Sequence, residues 1–449
     1  MGELVSSVCI SPCQGLNGKL LPPSSKYHTL RYLLAAFLAE GASSVYYPAL
    51  SDDTDVLLAA CRAFGSEIKE ETQEDGRLIL RIEGTGGVLR TPAGGEVSVG
   101  NAGAVARMLL GIGTLTPGAV TFTTPYAESL GKRPNRDLLK ALTQLGVETT
   151  SATPQGTLPV TLRGGTHLHG GSVQISGKRS SQYLSALFFL GPLLPDGLEI
   201  EVVDGLTSAS FVDLTLEILS TAGITISALQ PHERYSIPGR QSYRSGSYVV
   251  PGDYPSAAAL LGALAATGGT ITIDNLGEED AAGAAILGAF SAMGMELERH
   301  GQEIVARVTG PLHGLNLDGN TVIDSVPVIV AAACFAHTPS RIYNVANLHL
   351  KESDRLQDLA DELNKAGCHV VPLPDAIEVY PVEPGKIHGG VEVEAHADHR
   401  LIQALTIVGL GSKRPLTIQQ AWHIAKSYPH FFADLITLGA EIVSSPVAP

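Results

Sequence analysis

Basic residues are scarce in this chain: 30 Lys and Arg stand against 45 Asp and Glu, a formal charge of −15 over 449 residues. That balance argues against a broad nucleic-acid footprint, although a local cluster of Lys and Arg can still govern the field inside a cleft. Cysteine is scarce too. The five residues, Cys9, Cys13, Cys61, Cys334 and Cys368, are odd in number and scattered. Such a set does not build a disulfide framework. No second Cys or His pair stands at zinc-like spacing from Cys9 and Cys13, so no metal is expected. No apolar run approaches the roughly 20 residues that a membrane helix needs. The first residues lack the basic stretch and apolar core of a signal peptide. The expected compartment is the cytoplasm, with neither membrane nor nucleic acid as partner. A Walker loop, a GxGxxG fingerprint and an HExxH pair are all missing, which leaves a nucleotide cofactor unsupported.

What is present in quantity is glycine, 49 residues, and apolar side chains, 44% of the chain. The length suggests two domains of roughly 200 residues each. An apolar helix ending in Gly and followed by an extended apolar stretch recurs at 57–68, 138–149, 214–226, 286–297, 359–370 and 431–442. The glycines are Gly65, Gly146, Gly223, Gly294, Gly367 and Gly439. Each stands where a left-handed helix C-cap calls for Gly. A second helix, apolar nearly all round and so expected to be buried, precedes each of these: 30–38, 105–115, 183–194, 257–266, 326–336 and 401–410. The chain thus reads as six copies of a strand–helix–strand–helix–strand unit. Three copies per domain give an α/β (α+β) protein of two pseudo-threefold domains, with buried helices and outer sheets. The boundary is expected in the polar, Gly-bearing stretch near 243–248. It gives one domain over 22–246 and a second from 1–21 plus 247–449.

The few basic residues gather at helix starts. Lys26 and Arg31 come just before the first buried helix. Lys132-Arg133-Pro134, Lys178-Arg179-Ser180-Ser181-Gln182, His399-Arg400 and Lys426 hold comparable positions, and Lys351 and Arg355 flank Glu352 and Asp354. Backbone N–H groups and the helix dipole already seek anions there. Each group also has a plain reading: solvated surface charge, a Ser N-cap at Ser180-Ser181-Gln182, or an exposed helix face with i,i+4 ion pairs at 351–355. Their recurrence at one position of the repeat favours phosphate and carboxylate binding. Asn101-Ala102-Gly103-Ala104 sits before the second buried helix, where small residues let backbone approach a ligand or pack closely.

Taken in order, these residues resemble the 5-enolpyruvylshikimate-3-phosphate (EPSP) synthase family across essentially the whole chain. Lys26 and Arg31 look like its Lys-Ser-x-x-x-Arg. Gly100-Asn101-Ala102-Gly103 with Arg107 looks like its Asn-Ala-Gly-Thr-x-x-Arg. Arg133-Pro134, Ser180-Ser181-Gln182, Asp324, Asn347, Lys351-Glu352-Ser353-Asp354-Arg355, Asp398-His399-Arg400 and Lys426-Ser427-Tyr428-Pro429 follow the family's later motifs. The sister family acting on UDP-N-acetylglucosamine usually carries a reactive Cys where this chain reads Glu128-Ser129-Leu130-Gly131-Lys132-Arg133.

The resemblance implies a two-domain inside-out α/β barrel, each domain three βαβαββ-like units, with the active site in the cleft between them. It implies transfer of the enolpyruvyl group of phosphoenolpyruvate to the 5-hydroxyl of shikimate-3-phosphate, releasing phosphate, on the route to chorismate and the aromatic amino acids. Small-molecule substrates, no cofactor and a monomer go with it. Lys26, Asp324 and Glu352 take the catalytic roles. Lys26, Gly103, Arg133, Gln182, Arg355, Arg400 and Lys426 correspond to the phosphoenolpyruvate set. Lys26, Arg31, Ser180, Ser181, Gln182, Ser208, Asp324, Asn347 and Lys351 correspond to the shikimate-3-phosphate set. Departures are Tyr27 for the usual Ser, Ala104 for Thr, Met108 for Pro, and Ser208-Ala209-Ser210-Phe211 for a Ser-x-Pro-Tyr segment. They motivate the alternative of an enolpyruvyl transferase with another acceptor, a sugar nucleotide or a specialised metabolite.

Overall fold

The computed structural model describes residues 5–73, 77–165, 168–383 and 385–446. Residues 1–4 and 447–449, at the ends of the expected second domain, lie outside the described residues. The chain divides into two compact units, Ser24–Val250 and Met1–Pro23 with Pro251–Pro449. The later crossing falls at Val250, where the sequence placed it at 246. Strand Ser247–Val249 pairs in parallel with 44–46 and so stays with the first of these units.

Each unit holds three four-stranded sheets of one pattern. A leading strand runs parallel to a second, which pairs antiparallel with a third, which pairs antiparallel with the edge strand. Glu96–Ser98, Val120–Thr123, Val160–Arg163 and Glu148–Ser151 form one such sheet. In this sheet the order along the chain is strand, helix, strand, helix, strand, strand. In the Pro251–Pro449 unit the N-terminal segment completes two of the sheets. Val5–Ile10 pairs with Leu416–Gln419 and Ile442–Pro446, and Leu16–Leu20 pairs with Gly269–Ile273.

The apolar helices are buried as their composition requires. Tyr254–Thr267, Val326–Ala333 and His399–Gly411 pack on one another. In the other unit Gly103–Ile112 packs on Gln182–Leu190, and both share one core with Lys26–Leu38. Strands such as Val120–Thr123 alternate buried and half-buried residues, so each sheet turns one face to this core. The six repeat glycines all have positive φ, from 80° at Gly223 to 111° at Gly65, as the cap reading predicts. No helix among the described residues is long and apolar enough to cross a membrane.

Candidate active site

In the Ser24–Val250 unit the first helix begins at Lys26, not at residue 30, because Ser25 caps it by accepting the His28 amide. Lys26 and Arg31 therefore lie within the helix. Five residues turn a helix by about 140°, so the two side chains leave on different faces. The Lys26 ammonium meets Asp53 Oδ2 at 3.1 Å, with both side chains buried. Asp53 stands in the first turn of helix Asp52–Ala63, where the dipole favours an anion. Arg31 donates from Nε to Thr215 Oγ1 (2.8 Å), from Nη1 to Tyr27 O (3.0 Å) and from Nη2 to Phe211 O (3.2 Å). Burial pulls its pKa down to about 10. The two aromatic departures lie side by side: Tyr27 and Phe211 rings are 4.6 Å apart, and Lys26 Nζ is 5.7 Å from the Tyr27 ring centre. Ser208, buried with φ 54°, precedes helix Ala209–Thr221.

Gln182 opens helix Gln182–Leu190, and its amide donates to Ser180 Oγ while Ser181 is buried. Its Oε1 accepts from Arg107 Nη1 at 2.6 Å. Arg107 lies over the Tyr183 ring, whose hydroxyl donates to Pro134 O. The 103–107, 133–135 and 180–183 segments are thus tied together. Arg133 is buried, whereas Lys132 is exposed and paired with Glu128. A Cβ on Gly103 would lie 2.6 Å from Arg133 Nη1, so that guanidinium fills the room the glycine leaves.

In the Pro251–Pro449 unit a buried charge network centres on Arg355. Its Nε donates to Asp398 Oδ2 at 2.7 Å, Nη1 to Asp324 Oδ1 at 2.9 Å, and Nη2 to Glu352 Oε2 at 2.8 Å and Asp398 Oδ1 at 3.1 Å. Lys351 Nζ reaches Asp324 Oδ1 at 3.1 Å, and Lys426 Nζ reaches Glu352 Oε1 at 2.7 Å. Buried charges persist only when paired and hydrogen-bonded, and here carboxylates and cations alternate. Burial opposes charge on Arg355, but Asp398, Glu352 and Asp324 outweigh it and hold the guanidinium above its ordinary range. For Lys351, burial wins over Asp324 and lowers the pKa. Asp398 caps helix His399–Gly411 by accepting the Arg400 amide. Arg400, fully buried, donates to Gln403. Asn347 lies in the short helix Ala346–Leu350, next to this segment.

Residues 351–355 are not helical. The helix of the fifth repeat starts at Gln357, after a turn fixed by Asp354, whose Oδ1 accepts the amides of Leu356 and Gln357. Asp358 Oδ2 accepts the Asp354 amide in return, a reciprocal cap. The exposed helix face with i,i+4 pairs is therefore not formed, and Arg355 turns inward.

The family model described as EPSP synthase (3-phosphoshikimate 1-carboxyvinyltransferase) matches residues 10–435. The chain belongs to the EPSP synthase family. A 3-phosphoshikimate 1-carboxyvinyltransferase of Deinococcus radiodurans is 43% identical over 97% of this chain and 96% of its own length. One from Methanococcoides burtonii is 33% identical over 96% and 98%. Among solved structures, an EPSP synthase from Acinetobacter baumannii superposes with a TM-score of 0.79 at 25% identity, covering 98% of this chain and all of that one.

Set beside the family motifs, the geometry divides the predicted residues by unit. Lys26, Arg31, Gly103, Arg133, Ser180, Ser181, Gln182 and Ser208 belong to one unit, and Asp324, Asn347, Lys351, Glu352, Arg355, Arg400 and Lys426 to the other. Within the second unit the Arg355 network joins Asp324, Lys351, Glu352 and Lys426 directly. Sequence reading missed the partners that hold these groups: Asp53 for Lys26, Thr215 for Arg31, and the Asp398 carboxylate for Arg355. Only Asp398 carried a signal, as part of Asp398-His399-Arg400 and as a helix cap. Asp53 and Thr215 are placed by tertiary packing alone.

Proposed function

We propose that this EPSP synthase family member transfers the enolpyruvyl group of phosphoenolpyruvate to the 5-hydroxyl of shikimate-3-phosphate, releasing phosphate. The observation that carries the reading is the Glu352 carboxylate, 9% exposed and gripped by Arg355 and Lys426. Arg133, Arg355, Arg400 and Lys426, with Gln182 and the Gly103 backbone, hold the phosphoenolpyruvate carboxylate and phosphate, to which Arg forks are suited. Ser180, Ser181, Gln182, Ser208, Asn347 and Lys351 hold shikimate-3-phosphate, and Arg31 supports that set by fixing the Tyr27 and Phe211 carbonyls.

The chemistry needs an acid and a base on opposite sides of the reacting pair. Asp324 takes the proton of the attacking hydroxyl. Glu352 delivers a proton to the methylene carbon as the new C–O bond forms at the neighbouring carbon. It then recovers a methyl proton as the C–O bond to phosphate breaks. Lys26 stabilises charge on the departing phosphate. Anionic substrates compete for Arg355 and Lys426, which weakens their hold on Glu352 and favours its protonated form. The protein works as a cytoplasmic monomer in this reading. Phosphate release with shikimate-3-phosphate as acceptor, and none with UDP-N-acetylglucosamine, is the expected outcome of a coupled assay. Release only with the sugar nucleotide would reverse the choice of acceptor.

A further inference from the structure

His396 and Ala397, consecutive non-glycine residues, both have left-handed backbones, with φ of 52° and 54°. Asn, Asp and His enter that region more often than other non-glycine residues, but two residues in succession, one of them Ala, hold it only where their surroundings impose it. The next residue is Asp398, whose fully buried carboxylate accepts from Arg355, Ser353 and the Arg400 amide. The strain thus sits directly before the group that orients the central guanidinium.

Glu362, a buried residue of helix Gln357–Lys365, holds one side of this turn. Its Oε1 lies 3.0 Å from His396 Nε2, and its Oε2 accepts the Glu394 amide at 3.1 Å. Lys365 Nζ donates to both carboxylate oxygens at 2.8 Å. On the other side of the turn, Gln420 Oε1 accepts the Ala397 amide at 3.2 Å. Two links therefore join the same two segments: Arg355 to Asp398, and Glu362 to His396. One link alone leaves the loop free to pivot about it, and the second removes that freedom.

We propose that Glu362 and His396 are positioning residues for the transfer reaction, clamping the left-handed turn that aims Asp398 and, through it, the Arg355 guanidinium that grips Glu352. The proposal rests on the roles given above to Arg355 and Glu352. Burial opposes charge on Glu362, but Lys365, His396 and the Glu394 amide outweigh it, so the clamp is a charged acceptor. Asp358, with Oδ2 3.9 Å from His396 Nδ1, is the other carboxylate facing the imidazole.

The test compares His396→Gly and His396→Gln with the wild-type chain. Glycine adopts the left-handed backbone without cost but cannot reach Glu362. Gln offers an amide nitrogen near the place of Nε2. His396→Gly is expected to raise KM for phosphoenolpyruvate about tenfold, as misplacement remote from the chemistry does, while KM for shikimate-3-phosphate stays within about twofold. Its thermal midpoint should stay close to that of the wild type. His396→Gln should bring KM for phosphoenolpyruvate back to within about threefold. Glu362→Gln, which keeps the shape without the charge, should fall between. Wild-type kinetics in His396→Gly, or equal rises in both KM values, would overturn the positioning role alone. A wild-type chain that releases no phosphate sinks the reaction assigned above.

Discussion

The room beside Arg133 is too narrow for a methyl group. With a Cβ at residue 103 only 2.6 Å from Nη1, Gly103→Ala must push the guanidinium aside, because the helix backbone cannot yield as easily as a side-chain end. KM for phosphoenolpyruvate is expected to rise about tenfold with KM for shikimate-3-phosphate nearly unchanged, in steady-state kinetics with each substrate varied in turn. Glu352→Gln tests a different property of the same site. The amide keeps the shape between Arg355 and Lys426 but carries no transferable proton. It should lower kcat by at least about a hundredfold, within the range of lost acid–base catalysis. Equilibrium binding of phosphoenolpyruvate should change little, and a parallel loss of binding would make Glu352 structural. Lys26 and Arg133 were legible as candidates because scarce basic charge in an acidic chain stands out, and Glu352 because it lies between Lys351 and Arg355 in a motif the family shares. Asp53 and Thr215 were not, since nothing near them in sequence distinguishes them from other capped or helical polar residues.

Helix starts place most of these side chains, and their local chemistry explains where reading succeeded. The repeat glycines mark helix ends because left-handed φ is cheap only for Gly. Starts were harder. Ser25 carries the first buried helix back from 30 to Lys26, and the Asp354–Asp358 cap starts another at Gln357 rather than 359 and leaves 351–355 as a turn. An apolar periodicity does not report either shift, because the residues concerned are polar.

The same first turn holds His28, whose ring nitrogen lies 2.9 Å from Ser25 Oγ. Burial, with Arg31 adding to it, lowers its pKa from 6.5 to about 4. Between those values the unfolded chain binds more protons than the folded one, so this residue's contribution to stability is complete above pH 6.5 and falls as pH drops toward 4. The loss from this residue is about 2 kcal/mol on going from pH 7.5 to 5. Urea midpoints at the two pH values should therefore differ less in His28→Gln than in wild type. An identical difference in both would contradict the assignment.

Across the whole molecule, the sixfold repeat was visible in sequence but its closure was not. The N-terminal strands that complete two sheets pair with partners more than 250 residues away, Leu16 with Gly269 and Ile10 with Ile442 among them. No local pattern announces such pairings. Strand Ser247–Val249 is three residues long and directly follows a polar, Gly-bearing stretch, which is why the boundary was read at 246 and not at Val250. The global charge of −15 likewise conceals buried basic side chains in each unit: Lys26, Arg31 and Arg133 in one, Arg355, Arg400 and Lys426 in the other.

That Arg133 and Lys426 each bind phosphoenolpyruvate is the central claim, and KM for that substrate in two single variants tests it most directly. Arg133→Gln changes one unit and Lys426→Gln the other. Each should raise that KM by about tenfold or more, as expected for loss of a charge-assisted contact to a bound anion. A variant that leaves KM and kcat at wild-type values would remove its unit from phosphoenolpyruvate binding and contradict the account.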